Sequence, residues 1–435
     1  MTIQTGQLRR SVSALFAGQV SKLVIQAIYF VVLARMLGAN DYGAFAAILA
    51  LAALLSPFSS LGTNTLMVRN VARDPLISSF EWKRALLFTI CGGVTSSLLL
   101  AAMAHWIAPP GVSWAGVFCI VFADLVGLRM IDLVGSFWQA RGRIRDLALL
   151  PSVVNLLRLI SAIAAWFTVG AVALETWAWI YAAATVPLGL VVAFITTTRV
   201  GLYRARTPIS TRDLREGLLF STALAAQNVY NDIDKAMLGR LVSATSAGIY
   251  SAAYRIIDMA YAPIRSVAAA TYPLFFKEGK DGLTAALKIT RRILWVVLGY
   301  AIVGSVGVYL AAPLCPLILG DDYVEAVQFI QWMSALIVLR ALSFLAADTL
   351  TGSGHQTYRT SVQVGMAVAN VAMNFYLLPL YGVGGAVIST LVCEALLGMF
   401  LWLYIAAQLR TQRIAEREKA RKGKRGRRKA TARDS

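Results

Sequence analysis

The chain is poor in what soluble proteins and enzymes have most use for. Only 14% of its 435 residues are charged, against about a quarter in an ordinary soluble domain, so a water-exposed globule is excluded. Histidine occurs twice, at His105 and His355, which leaves almost no material for imidazole-based acid–base chemistry or metal ligation. The four cysteines, Cys91, Cys119, Cys315 and Cys393, lie far apart with no Cys-x-x-Cys pair, so neither a disulfide framework nor a zinc site is indicated. No cofactor motif is present, and no catalytic centre is expected. The first apolar run is far longer than the core of a cleavable signal peptide and lacks a small-residue cleavage site.

What is present is apolar length. Hydrophobic residues make up 58% of the chain, and runs of the roughly 20 residues needed to cross a bilayer recur from residue 11 to residue 408. The pattern predicts an all-α polytopic membrane protein with twelve spans, near 11–36, 42–66, 84–107, 112–140, 147–170, 174–198, 216–239, 245–275, 289–311, 323–351, 356–378 and 382–408. Lys and Arg test that count independently, because cytoplasmic loops carry the positive excess. With the N-terminus inside, thirty-two of the 41 fall on cytoplasmic segments, two (Arg35 and Arg240) on the opposite loops and seven within spans. Both termini are therefore expected in the cytoplasm.

The chain also echoes itself. Leu37-Gly38 with Tyr42-Gly43-Ala44-Phe45-Ala46-Ala47 is matched by Leu238-Gly239 with Gly248-Ile249-Tyr250-Ser251-Ala252-Ala253, an offset of 205 from Gly43 to Gly248. Ala108-Pro109 and Ala312-Pro313 repeat at an offset of 204. Six helices per repeat make both halves enter from the same side, so the pseudo-two-fold axis is expected along the membrane normal. The expected organisation is a six-helix lobe at 1–198, a cytoplasmic linker at 199–215, a second six-helix lobe at 216–408, and a basic tail at 409–435. That tail carries a net +9 of the total +19 and few apolar residues, and composition predicts disorder. Its setting just beyond a last span points to anionic lipid rather than nucleic acid.

Charges at membrane depth cost several kcal/mol unless paired or wet, so they mark either helix–helix ion pairs or a polar cavity. The basic ones are Lys22, Arg129, Arg158, Lys235, Arg255, Arg265 and Arg340; the acidic ones are Asp124, Asp132, Asp232, Asp234, Asp258, Asp348 and Glu394. Arg129 with Asp132 and Arg255 with Asp258 are spaced as pairs on one helix face. In the eighth span Tyr250, Tyr254, Asp258, Tyr261 and Arg265 keep helical spacing and form one stripe, read as a wet aromatic wall. Gln19, Lys22, Gln26 and Tyr29 do the same in the first span, and Gln363, Asn370 and Asn374 in the eleventh.

The acids Asp124, Asp232 and Asp234 sit toward the outer ends, so the deep cavity is expected to be cationic. Guanidinium groups bind phosphate in a bidentate way, and aromatic and amide side chains suit sugar rings. The candidate cavity residues are Lys22, Arg129, Arg158, Arg255, Arg265, Arg340, Tyr254, Tyr261, Asn370 and Asn374. Glu394 and then Asp348 are the candidate ion-coupling groups, with pairing of Glu394 to an arginine of another helix as the alternative.

Further motifs sharpen the reading. Ala34-Arg35-x-Leu37-Gly38 with Tyr42-Gly43-x-Phe45, Leu61-Gly62 ahead of Arg69, Asp234-Lys235-x-Met237-Leu238-Gly239 with Gly248-x-Tyr250-x-x-Ala253, and Tyr272-Pro273-Leu274-Phe275 follow in order. Near the end come Gly352-x-Gly354, Tyr358, Asn370, Asn374, Leu378-Pro379-x-Tyr381-Gly382 and Gly385-Ala386. Over nearly its whole length apart from the tail, the chain resembles the bacterial polysaccharide transporters, the O-antigen and exopolysaccharide repeat-unit flippases of the multidrug/oligosaccharidyl-lipid/polysaccharide (MOP) exporter superfamily.

That resemblance implies a MATE-like fold and movement of an undecaprenyl-diphosphate-linked oligosaccharide across a bacterial inner membrane. A polysaccharide polymerase and a chain-length regulator would be partners. Gly38, Gly43, Gly239 and Gly248 are read as turn residues. The rivals are a cation-coupled multidrug antiporter of the same superfamily, a lipid II flippase, for which two further helices would be needed, and a membrane glycosyltransferase or ligase, for which the outer loops are too short.

Overall fold

The computed structural model describes residues 5–142, 144–201 and 211–431, and among these all regular structure is helical. Sixteen α-helices follow in order: α1 (Thr5–Ser59), α2 (Thr63–Arg73), α3 (Ser78–Ala102), α4 (Ala104–Ile107), α5 (Trp114–Phe122), α6 (Arg129–Ala140), α7 (Ile144–Val169), α8 (Leu174–Val200), α9 (Thr211–Leu241), α10 (Ala244–Gly279), α11 (Leu283–Ala311), α12 (Cys315–Leu319), α13 (Ala326–Met333), α14 (Ala335–Gly352), α15 (Gln356–Tyr381) and α16 (Val383–Thr431).

Each of the twelve expected spans lies on this framework. The first two share α1, which bends at Gly38, where φ is 69° and ψ 174°; only glycine takes such a conformation at little cost. A π-helical turn, Ala123–Leu128, joins α5 to α6 in the fourth span. The tenth is divided between α13 and α14.

Eight helices among the described residues are long and apolar enough to cross a membrane. The fourth, seventh and eighth expected spans are not among them. The fourth is broken by its π turn, and α9 and α10 carry Asp232, Asp234, Lys235, Arg255, Asp258 and Arg265. A cysteine placed at residues 318–322 should react with an impermeant thiol reagent only from outside the cell, and one at 204–208 only from inside. Reaction of both from one side would contradict the twelve-span topology.

Contacts divide the chain into two compact units. The first holds Met1–Met259, Ala311–Ile330 and Val371–Val387; the second holds Ala260–Leu310, Gln331–Asn370 and Ile388–Ser435. These units do not coincide with the sequence halves 1–198 and 216–408. The reason lies in α9, which runs along the second half of α1. There Asn228 donates to the Ala53 carbonyl at 2.7 Å, Ser221 to that of Pro57 at 2.8 Å, and Arg69 pairs with Glu216 at 2.8 Å.

The first unit is cored by Met67, Trp82, Met130, Leu133 and Phe137, with the Trp82 indole N–H donating to Thr197 at 3.0 Å. In the second unit Phe275 packs with Ala286 and Ile289. Helix α16 continues to Thr431, through the stretch where composition predicts disorder. Ala, Arg, Lys, Glu and Gln are all strong helix formers, a preference that a reading from charge and low apolarity leaves out.

Candidate transport cavity

A cavity of about 310 Å³ lies in the first unit. One wall is α1, through Tyr29, Phe30, Leu33, Tyr42, Phe45, Ala46, Leu49, Ala50 and Ala53. The facing wall is α10 with Ser251, Tyr254, Arg255 and Asp258, and Asp232 and Lys235 of α9 and Asp124 of the π turn complete it. The charged groups of this lining come from the fourth, seventh and eighth spans, the three that do not pass as simple continuous apolar membrane helices. Their charge is tolerated because it faces a cavity or a partner instead of lipid.

Most of that charge is matched inside the unit. The π turn directs Asp124 at α7 and α8, where it accepts from Arg158 Nη2 at 3.1 Å and from the Tyr181 hydroxyl at 2.5 Å. Arg158 also donates through Nε to Thr185 at 3.1 Å, and its guanidinium lies 4.2 Å from the centroid of the Tyr181 ring. Lys235 pairs with Asp232 at 2.5 Å and stands 4.5 Å from the Tyr254 ring centroid, a cation–π contact that a neutral residue would lose. Asp234 is buried and accepts from Tyr250 at 2.7 Å and from Asn374 at 2.5 Å.

Arg255 is different. It is half-buried, lines the cavity, and has no carboxylate within 4 Å among the described residues. The i, i+3 pair expected between Arg255 and Asp258 is therefore not formed, since a shared helix face fixes where the Cβ atoms lie and not which rotamers the side chains choose.

The structure distributes the sequence-predicted residues widely. Arg255 and Tyr254 line the cavity; Arg158 and Asn374 stand behind it, holding Asp124 and Asp234. Arg129 pairs with Asp132 at 3.0 Å, as the spacing predicts, and is not part of the lining. The side chain of Lys22 lies outside the described residues.

Tyr261, Arg265, Arg340 and Asn370 belong to the second unit. There the Tyr261 hydroxyl donates to the Arg340 carbonyl at 3.3 Å, Arg265 lies 5.9 Å from the Tyr261 ring centroid, and Asn370 is buried. Both candidate coupling groups have arginine partners: Glu394 meets Arg340 at 3.9 Å and Asp348 meets Arg359 at 4.0 Å.

Two expectations are corrected. The stripe of the eighth span is not one wet wall, because Tyr250 is fully buried against Asp234. Nor is the described lining cationic: among the described residues it holds Asp124, Asp232 and Asp258 against Lys235 and Arg255. Tyr29, Tyr42, Asp232 and Lys235 belong to the site without having been singled out for it. The Asp232-x-x-Lys235 spacing was the signal for the last two, and no sequence pattern separates a lining tyrosine from a packed one.

Residues 8–278, more than half of the chain, match the family described as polysaccharide biosynthesis protein. The chain belongs to that family. Its members are polysaccharide transporters of the MOP superfamily, and residues 221–376 of this one also match the MatE family. No match to a curated protein sequence was found.

Among solved structures, the fold is similar to an inward-facing conformation of a multidrug resistance MATE family transporter of the MOP superfamily. The TM-score is 0.69 at 15% identity, over 90% of this chain and 98% of the other. An outward-facing conformation of such a transporter gives 0.60 at 16% identity, over 94% and 100%. A MOP superfamily transporter from Pyrococcus furiosus, described by a reverse polarity of its binding pocket, gives 0.60 at 16% identity over 94% and 99%. This polysaccharide transporter family member is thus an all-α, multi-pass membrane protein with a MATE-like fold.

Proposed function

We propose that this family member is a flippase that moves an undecaprenyl-diphosphate-linked oligosaccharide from the cytoplasmic to the outer leaflet of a bacterial inner membrane, for lipopolysaccharide or exopolysaccharide assembly. The observation that supports the reading is Arg255, a half-buried guanidinium on the cavity wall with no carboxylate within 4 Å among the described residues. A desolvated guanidinium left open in this way suits the paired oxygens of a diphosphate. Tyr29, Tyr42 and Tyr254 beside it offer aromatic faces and hydroxyls to sugar rings. In this reading the sequence halves act as two lobes, both termini lie in the cytoplasm, the basic tail meets anionic lipid, and a polymerase and a chain-length regulator take the product.

The three aspartates of the lining favour a second reading, a cation-coupled multidrug antiporter. Depletion of the protein separates the two. The flippase reading expects lipid-linked oligosaccharide to accumulate in the cytoplasmic leaflet with drug sensitivity unchanged, and the antiporter reading expects the reverse.

Coupling is assigned to Glu394. Because Arg340 stands 3.9 Å away, the pair has to open when the carboxyl exchanges a proton. Glu394→Gln should abolish the dependence of flipping on an imposed pH gradient in proteoliposomes. A mutant that responds to the gradient like wild type would remove Glu394 from that role.

A further inference from the structure

The repeat in the sequence meets itself in the structure. At the offset of 205 residues, Ala39, Asn40 and Gly43 correspond to Ala244, Thr245 and Gly248. Thr245 Oγ1 donates to Asn40 Oδ1 at 3.4 Å. A Cβ at Gly43 would stand 1.8 Å from the Ala244 carbonyl oxygen, and a Cβ at Gly248 1.9 Å from that of Ala39. Asn40 meets its own counterpart and each glycine meets the counterpart of the residue four before it, and this reciprocity is what a contact on a two-fold axis produces.

Gly43 and Gly248 therefore work as points of close backbone approach within helices, not as the turn residues that the sequence suggests. At the two glycines the seam is backbone against backbone, with no side chain between the helices. It lies directly beside Tyr42, Phe45 and Ala46 of the cavity lining.

A second contact between the sequence halves adjoins the seam. Arg35, just ahead of the bend in α1, donates through Nε to the Ile318 carbonyl at 2.7 Å and through Nη2 to that of Leu317. These carbonyls lie at the C-terminal end of α12, where the backbone has no further helical donors and a cation is favoured. Tyr323 donates to the Ala34 carbonyl at 3.4 Å. Arg35 is exposed, so its bonds can exchange with water without leaving a buried group unpaired.

We propose that Arg35 and the Ala39–Gly43 and Ala244–Gly248 seam form a latch on the Lys/Arg-poor side of the membrane, closed in this structure. It parts whenever the cavity opens to that side, and Arg35 is its positioning residue. The proposal rests on the transport reading but not on the substrate assigned to it.

The test uses labelling in place of transport, so an error in the substrate leaves it intact. Ala46, three residues beyond Gly43 on the cavity wall, is replaced by Cys in the otherwise native chain. Its reaction with an impermeant thiol reagent added from the Lys/Arg-poor side is followed by mass spectrometry of the peptide that carries it. The rate should rise about tenfold with Arg35→Ala, the factor that one charge-assisted hydrogen bond provides, and Arg35→Lys, which can still donate to α12, should fall between. Equal rates in all three would overturn the proposal.

A second arm keeps Arg35 in place and adds Asn40→Cys and Thr245→Cys. Oxidation to the cross-linked form should suppress reaction at residue 46, and reduction should restore it. A cross-linked protein that reacts as fast as the reduced one would also overturn the proposal, because the seam would not need to part.

Discussion

Replacing Arg255 by Gln should lower flipping of a lipid-linked oligosaccharide about tenfold or more while leaving the amount of folded protein unchanged. The magnitude follows from the environment: a charge-assisted hydrogen bond to a desolvated group contributes roughly 1.5–3 kcal/mol, and each 1.4 kcal/mol is a factor of ten. The absence of a carboxylate partner for Arg255 among the described residues makes the result interpretable, because removing the guanidinium leaves no buried acid behind. Arg255→Lys should recover part of the activity, since a point charge still attracts phosphate but cannot bind it in a bidentate way. Flipping rates measured at matched protein density provide the check, and wild-type rates for Arg255→Gln would leave Arg255 as a packing residue.

Arg158→Met should be among the most destabilising single changes in the cavity region, costing roughly 3–5 kcal/mol, because it leaves one member of a buried ion pair uncompensated. The side chains of Arg158 and Asp124 are only 10% and 20% exposed, so water screens little of the loss. Arg158→Met with Asp124→Leu should recover most of the stability, since both charges then leave together. Tyr181→Phe, which removes one hydrogen bond to Asp124 and keeps the ring under Arg158, should cost about 1–3 kcal/mol. Equilibrium unfolding in mixed micelles measures all three. A double mutant no more stable than Arg158→Met would mean that the pair has no isolated energetic role.

Much of this architecture was legible in the sequence because membranes impose simple rules. The spans follow from apolar length, and the bend at Gly38 from a glycine between two apolar runs. The partnership of Arg129 with Asp132 follows from helical spacing. The repeat at 205 residues was visible as residue identities, yet only coordinates reveal that Gly43 and Gly248 touch. Their reading as turn residues failed because glycine serves equally for positive φ and for close approach, and sequence does not distinguish these uses.

The composition of the cavity was less legible. Which arginine finds a carboxylate depends on neighbours far away in sequence, as with Arg158 and Asp124 or Arg340 and Glu394. The complete burial of Tyr250 likewise depends on Asp234 and Asn374 arriving from α9 and α15. Helical periodicity assigns a residue to a face and says nothing about what that face meets. The extension of α16 was missed for another reason: a charge-rich segment can still consist of strong helix formers.

The central claim, that the cavity passes an anionic lipid-linked head group, is tested most directly by reconstitution of the purified protein into liposomes that hold a fluorescent polyprenyl-diphosphate oligosaccharide in both leaflets. A membrane-impermeant quencher then reports the fraction that changes sides. The account predicts protein-dependent exchange of this lipid, its loss with Arg255→Gln, and no uptake of a cationic dye under an ion gradient. Dye uptake that needs Asp232 or Asp258, with the lipid confined to its original leaflet, would contradict it.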